Sequence, residues 1–506
     1  MNLNPLLLNR QLGTLSPRAF CRAETTRRLH ALQPTTLQFD GAPPQDARSA
    51  AVPHRDVLAH PAGVNALTID KFEGRWMLSG GADSSVALWD LEAVAQPAGD
   101  GDTSTQTLVP LDSLRKTSTA HSFGITHLSF YPFDSLAFLS SSYDHTLKVY
   151  ASETLAASAS FDLHAVIYSH ALSPIAQHLL VACATQTPRV RLVDLRSGAA
   201  THSLAGHSGA VLSVVWSPID DHVLASGGTD GTVRFWDVRR SAGCLGVLDA
   251  EDSVGVFGAD GLGTSAARSS RQVGRAHAAA VNGVVWTDDG RHLVTTGHDE
   301  RVRVWDAMTG ANTLASFGPT IKNAHLSTLL PLISPPGLVA PGKDVLFYPS
   351  EHEILVYELF DGRLLKRLKT PGAAPAVPTG GPGPARRGGG NRGSGSGNSG
   401  NGGGGGGGGS SSGAQAAAAA ATSAAPRSAK ARARTTALAW RAHDVHLFSA
   451  HGDGRIRAWA PRTPEDALAD DEELAERDAA EGSRKRKRDE LDAIYRDFSR
   501  RQGGIL

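Results

Sequence analysis

The chain has 506 residues, enough to bury a large core, and its 50 basic residues balance 50 acidic ones. A net charge of zero excludes a global attraction to nucleic acid. Three scattered cysteines, Cys21, Cys183 and Cys244, argue against a disulfide framework or a zinc site and fit a reducing compartment; no run of about eighteen apolar residues offers a membrane span.

The first 33 residues are rich in Arg and Leu and hold one acid, Glu24, a composition that mitochondrial presequences share. No secretory signal is visible. The segment reads as two helices. Asn4 is a cap, Pro5 suits the first helical position, and Gly13 is a stop; Ser16 and Pro17 repeat the start signal and Pro34 ends the second helix. The first is Leu-rich (Leu6, Leu7, Leu8, Leu12). The second sets Arg18, Arg22, Arg27 and Arg28 against Glu24, with Phe20, Leu29 and Leu32 as its apolar residues. Helices this short are marginal alone, so the pair is expected to dock on its own chain or in a partner's groove.

A repeat follows. A small hydroxyl residue precedes an Asp by four positions, and an aromatic stands six beyond. The pattern occurs at Ser79, Asp83, Trp89; Ser140, Asp144, Tyr150; Ser226, Asp230, Trp236; Thr295, Asp299, Trp305; and Ser449, Asp453, Trp459. His60, His121, His207 and His277 stand 22 or 23 residues before the first four Asp residues. Two degenerate units, ending at Val190 to Asp194 (Thr187 in the Asp position) and at Ile354 to Tyr357 (Glu351 there), bring the total to seven.

Each unit carries short alternating apolar strands, such as Val211, Val214, Trp216 and Val233, Phe235, around tight turns such as Gly228-Thr229-Asp230-Gly231. His, Ser, Asp and the indole can bond one another, fixing the turn and satisfying buried polar groups. A single four-stranded sheet cannot bury both faces, whereas sheets packed radially do, at roughly 40–45 residues per repeat. Ring closure is expected from a strand before the first repeat, near Leu37 to Asp40 or Arg55 to Ala59. The fold class is therefore all-β: a seven-bladed WD40 β-propeller with an N-terminal helix-loop-helix and a disordered insert and tail.

His, Asp and Ser together also describe a nucleophilic triad. An active site occurs once, however, and this constellation recurs in at least four units, so it reads as a folding device. No P-loop, HExxH, GxSxG or metal cluster is present, and no catalytic residue, metal or cofactor is expected.

Residues 249–275 form a long polar connection. Residues 371–434 are low complexity, with Gly402 to Gly409 and Ala416 to Ala421, and are expected to be a disordered loop before the last blade. Arg387-Gly388-Gly389 and Arg392-Gly393 resemble RNA-binding tracts but are few. Glu465 to Glu481 holds nine acids and one Arg; then come Arg484, Lys485, Arg486, Lys487 and Arg488, read as a nuclear import signal. Leu491, Ile494, Tyr495 and Phe498 follow helical spacing and leave open whether that helix binds a partner. The expected organisation is 1–34 helix-loop-helix, 35–370 blades one to six, 371–434 insert, 435–463 last blade and 464–506 tail.

Several blocks go beyond a generic repeat. Arg22-Ala23-Glu24-Thr25-Thr26-Arg27-Arg28, Gly63 to Leu67, Glu73 to Gly81, Thr146 to Val149, Tyr168 to His170 with Ser173-Pro174, Trp236 to Arg240 with Gly243 to Leu245, and Asn312 to Leu314 closely resemble the Cockayne syndrome A family. The likeness is colinear over nearly all of residues 16–465. The 249–275 expansion, the 371–434 insert and the basic carboxyl end depart from it and put contacts near the seventh blade in doubt. The resemblance implies a substrate receptor of a cullin-4 RING ubiquitin ligase, acting in transcription-coupled nucleotide excision repair in the nucleus. Its implied partners are the damaged-DNA-binding protein 1 adaptor, a Cockayne syndrome B-type remodelling ATPase and the RNA polymerase II complex. It implies adaptor contacts from Arg22, Glu24, Thr25, Arg27 and Arg28 in the helical pair. It also implies contacts from the Asp-x-Arg feature at Asp237 and Arg239, with a second copy at Asp194 and Arg196. No membrane association or direct nucleic-acid binding is expected. The competing expectation is a general nuclear scaffold that holds chromatin or RNA through the Arg-Gly tract and basic tail.

Overall fold

The computed structural model describes residues 3–42, 57–93, 96–97, 106–115, 120–240, 243–252, 274–325, 327–335, 337–369, 434–441, 444–462 and 468. The insert up to residue 433, the centre of the 249–275 connection, Arg484 to Arg488 and the 491–498 segment lie outside them.

Seven sheets form the blades of a propeller. The first holds Val64–Ile69, Trp76–Gly81, Val86–Asp90 and Asp112–Leu114; the second runs from Ile125–Phe130 to Ala157–Asp162, the third from Ile167–Leu172 to Ala199–Ala205, and the fourth from Val211–Trp216 to Cys244–Val247. The fifth has three strands, Val281–Trp286, His292–Gly297 and Arg301–Asp306; the sixth runs from Leu332–Ile333 to Leu364–Lys369. The core is not one mass. It divides into seven apolar clusters, one in each seam between neighbouring blades, as expected when sheets bury their faces only against one another.

Two helices precede the ring, α1 (Leu3–Gln11) and α2 (Pro17–His30). Ser16 caps α2 by accepting from Ala19 N–H, and Gly13 turns the chain between them at φ 74°. The second helix stops at His30, not at Pro34 as expected. Leu32–Pro34 (β1) instead pairs with Ile456–Pro461 as the outer strand of the seventh blade. Ring closure thus uses neither expected segment, and the second helix ends four residues short of residue 34. The reason is burial. Leu29 and Leu32 enter the seam of blades six and seven beside Phe347 and Trp459, and Lys366 Nζ donates to the carbonyls of His30 (3.0 Å) and Leu32 (2.7 Å). Leu37–Phe39 (β2) pairs in parallel with Gln106–Leu108, and Phe39 wedges between Trp89 and Phe448 at the seam of the last and first blades.

Inner strands are laced across blades by side chains. Asn65 donates to Ile125 O (2.9 Å), Thr126 to Ile167 O (2.7 Å), Ser169 to Leu212 O (3.2 Å), and Thr436 to Val64 O. Thr328 reaches across to Leu212 O (3.1 Å), and a cavity of about 330 Å³ lies among inner-strand residues such as His127, His170, Ser213 and Val284. Among the described residues no helix is long and apolar enough to cross a membrane.

Candidate functional site

The repeat residues meet as their spacing implies. In the fourth blade Trp236 Nε1 donates to Ser226 Oγ (2.7 Å), Ser226 Oγ lies 2.8 Å from His207 Nε2, and His207 Nδ1 lies 3.1 Å from Asp230. An ionised carboxylate only accepts, so the imidazole carries its proton on Nδ1 and takes the serine proton on Nε2. The fifth blade repeats this with Trp305, Thr295, His277 and Asp299 at 2.8–2.9 Å. In the second, His121 sits 2.6 Å from Ser140 and 2.9 Å from Asp144, and Tyr150 stacks on Phe138 in the indole's place. In the first, Ser79 joins Trp89 and His60, while Ser85 intervenes between His60 Nδ1 and Asp83. In the seventh, Ser449 accepts from Trp459 and meets His451, and Asp453 takes Arg457 (3.1 Å).

Burial raises the carboxyls of Asp144, Asp230 and Asp299, yet the hydrogen bonds and charge of His121, His207 and His277, together with further hydrogen bonds from their turns, outweigh it and hold all three well below the usual range. Burial lowers His60 to about 4, against the attraction of Asp83.

The degenerate blades solve the same problem with apolar groups. In the third, Leu163 precedes the first strand by the interval that His207 keeps, and Cys183 pairs with Arg191 in the register Ser226 shares with Arg234. Val193 replaces the indole; all three are buried. His164, which matches the spacing, is exposed on a left-handed turn at φ 54°. In the sixth blade Tyr357 takes the aromatic place and its hydroxyl meets Thr320 (2.6 Å).

The family model described as "WD domain, G-beta repeat" matches residues 53–90, 112–151, 198–237 and 269–306, the four blades with a complete histidine–aspartate turn. The chain is a WD40-repeat protein. It is 29% identical over 416 residues to the WD repeat-containing protein ATCSA-1 of Arabidopsis thaliana, covering 71% of this chain and 87% of that one. It is also 27% identical over 277 residues to the ribosome biogenesis protein ytm1 of Aspergillus niger, and over 280 residues to that of Aspergillus fumigatus. Each match covers 50% of this chain and 54% of the relative. The chain thus spans about half the length of those ribosome biogenesis proteins.

A WD40 blade alternates its strands, so its His and Asp turns share one face of the ring and the turns after the first and third strands share the other. Asp194 with Arg196 and Asp237 with Arg239 follow third strands. The closing strand β1 starts opposite Pro461, the end of a third strand, so α2 leaves from that same face. All nine nominated adaptor residues therefore stand on one face. They differ in exposure. Arg239 clasps the buried Asp237 with two bonds of 3.0 Å, yet its side chain is 64% exposed. Its guanidinium, first among the causes, depresses the Asp237 carboxyl. Asp194 is bonded by Arg196 through its backbone N–H only (3.0 Å). Arg22 is half-buried and Arg28 exposed. Glu24 bonds Arg28 (3.2 Å), and Arg27 is largely covered beside Glu24 (3.6 Å). Thr25 donates to Leu338 O of the sixth blade, which tethers the helix.

Some features of this face escaped the sequence. Leu8 (55%) and Leu12 (66%) are exposed near α1. Phe72, Phe133, Ile175 and Ile219, each three residues past the first strand of blades one to four, form an exposed apolar arc. Their common offset was a usable signal. Arg75 clasps Asp90 at 2.6 and 3.0 Å, a counterpart of the Asp237–Arg239 pair.

Proposed function

We propose that this chain is the substrate receptor of a cullin-4 RING ubiquitin ligase, held by a damaged-DNA-binding protein 1 adaptor. It acts in the nucleus in transcription-coupled repair at stalled RNA polymerase II, with a Cockayne syndrome B-type remodelling ATPase as partner. One observation carries the reading: the helical pair and the Asp237–Arg239 clasp share a face, so a single adaptor surface can engage both. The exposed leucines supply the apolar contact that a groove requires. Thr25 ties the helix to the sixth blade, and Arg239 presents a preorganised cation. The likeness to ATCSA-1 over most of that protein supports the same reading.

The test is co-expression of the full chain with the adaptor. Leu8→Glu with Leu12→Glu should abolish co-purification and leave thermal unfolding unchanged; Arg239→Ala should weaken it. Undiminished binding by the double variant refutes the docking scheme. A general nuclear scaffold is the second reading, supported by the ribosome biogenesis relatives. It requires salt-sensitive RNA binding that disappears when 371–433 or 484–488 is removed, and a chain with no affinity for RNA at low salt dismisses it.

A further inference from the structure

Among the described residues the fifth blade is one strand short. In each of the other six a fourth strand covers the outer edge of the third; here Arg301–Asp306 meets only an isolated bridge between Trp305 and Asn312. Asp306 N–H donates to Ala311 O (2.9 Å), and Thr313 N–H donates to Val304 O (3.0 Å). Antiparallel alternation turns both backbone groups of Val302 outward, and no backbone partner meets them among the described residues; Val304 is fully buried, and its carbonyl takes Thr313 N–H. Such an edge is a template for another strand.

The chain leaves this edge abruptly. Leu314 adopts φ 60° and is 65% exposed, a left-handed conformation that residues with a Cβ rarely take. Beyond it, Phe317 and Ile321 are buried in the seam with blade six, Phe317 edge-on to Tyr357 at 5.4 Å. Thr320 meets the Tyr357 hydroxyl. The departing segment is thus pinned to the neighbouring blade and cannot fall back to cover the strand. Between the two lies a groove of about 640 Å³, walled by Arg301, Val302 and Arg303 on one side and Ser316, Gly318 and Pro319 on the other.

We propose that this groove is a peptide-binding site, in which an extended segment of a partner protein adds to Arg301–Arg303 as the missing fourth strand and sets a carboxylate against Arg301. The unpaired backbone row demands an extended main chain, which is strand addition. The charge follows from the neighbours. Arg303 is taken by Asp299 (2.9 Å) and Glu300 by Lys322 (3.2 Å), whereas Arg301 is exposed and in no ion pair among the described residues. The site uses none of the adaptor-facing residues and stands apart from the proposed function.

Random decapeptides displayed on phage would be selected on the full-length protein. Enriched peptides should carry an Asp or Glu at one position, and Arg301→Glu should switch that position to Lys or Arg. Val302→Pro removes an outward N–H that carries no ladder bond, a place where an edge strand tolerates proline, and should weaken the selected peptides about tenfold or more. Amide hydrogen exchange at Val302 should be fast in the free protein and slow with peptide bound. The idea fails if that amide is protected without peptide, which would mean that another part of the chain or a second copy fills the edge. It also fails if no peptide is enriched, or if Val302→Pro binds like the parent. Should Val302→Pro not fold, as read by circular dichroism, the charge switch at Arg301 decides.

Discussion

Removing one hydroxyl from the fourth blade tests the folding device directly. Ser226 is buried; it accepts from Trp236 Nε1 at 2.7 Å and gives its proton to His207 Nε2 at 2.8 Å. Ser226→Ala strands an indole N–H and an imidazole nitrogen where water cannot reach. Each orphan costs about 1–3 kcal/mol, or roughly 2–6 for the pair. His207 keeps Asp230 and Thr232 on its other side, so the expected loss is the lower part of that range, about 2–4 kcal/mol. The third blade supplies the control. There the same place is filled by Cys183 among apolar neighbours, and Cys183→Ala orphans nothing. Guanidinium unfolding of both variants, followed by circular dichroism, gives the two costs. Adding Trp236→Phe to Ser226→Ala should recover part of the loss, because the stranded N–H is gone. If Ser226→Ala costs no more than Cys183→Ala, or the two fourth-blade changes add independently, the hydrogen-bond account of the repeat is wrong.

Acidification should destabilise the ring in two stages. His60 is held neutral down to about 4 in the fold, against 6.5 when free. Its contribution, about 3 kcal/mol, is complete above 6.5 and disappears as pH falls through 4. The depressed carboxyls of Asp144, Asp230 and Asp299 withdraw theirs only below the ordinary carboxylate range; urea midpoints that stay level from neutral pH down to about pH 4 would contradict the assignment. Deleting residues 3–34 removes Leu29, Leu32 and the closing strand and should cost at least about 3–6 kcal/mol from the two leucines. Deleting 3–15 should leave the melting temperature near that of the parent. Gly231 sits at φ 76°, and a Cβ there would stand 2.5 Å from His277 O. Gly231→Ala should therefore lower the melting temperature by several degrees, and an unchanged melt would show that the turn can relax.

Much of the ring was legible in the residues because each turn network closes within one blade. His207, Ser226, Asp230 and Trp236 lie within thirty positions of one another, so their spacing along the chain is already their geometry. The third blade shows the limit of spacing: His164 has the right interval from Thr187, yet Leu163 takes the buried place, because a blade without its aspartate has no use for an imidazole there.

Closure was hidden for a different reason. Leu32–Pro34 pairs with residues more than four hundred positions away, and a three-residue strand ending in Pro looks, locally, like the stop of a helix. The amino-acid sequence by itself determined the number of blades, the turn chemistry and the identity of the nominated docking residues. Tertiary structure alone decided which segment seals the ring, that the fifth blade has no outer strand among the described residues, and that the helical pair and Arg239 look the same way. Those outcomes depend on which apolar side chains win a place in a seam between blades, and that competition involves residues no local pattern connects.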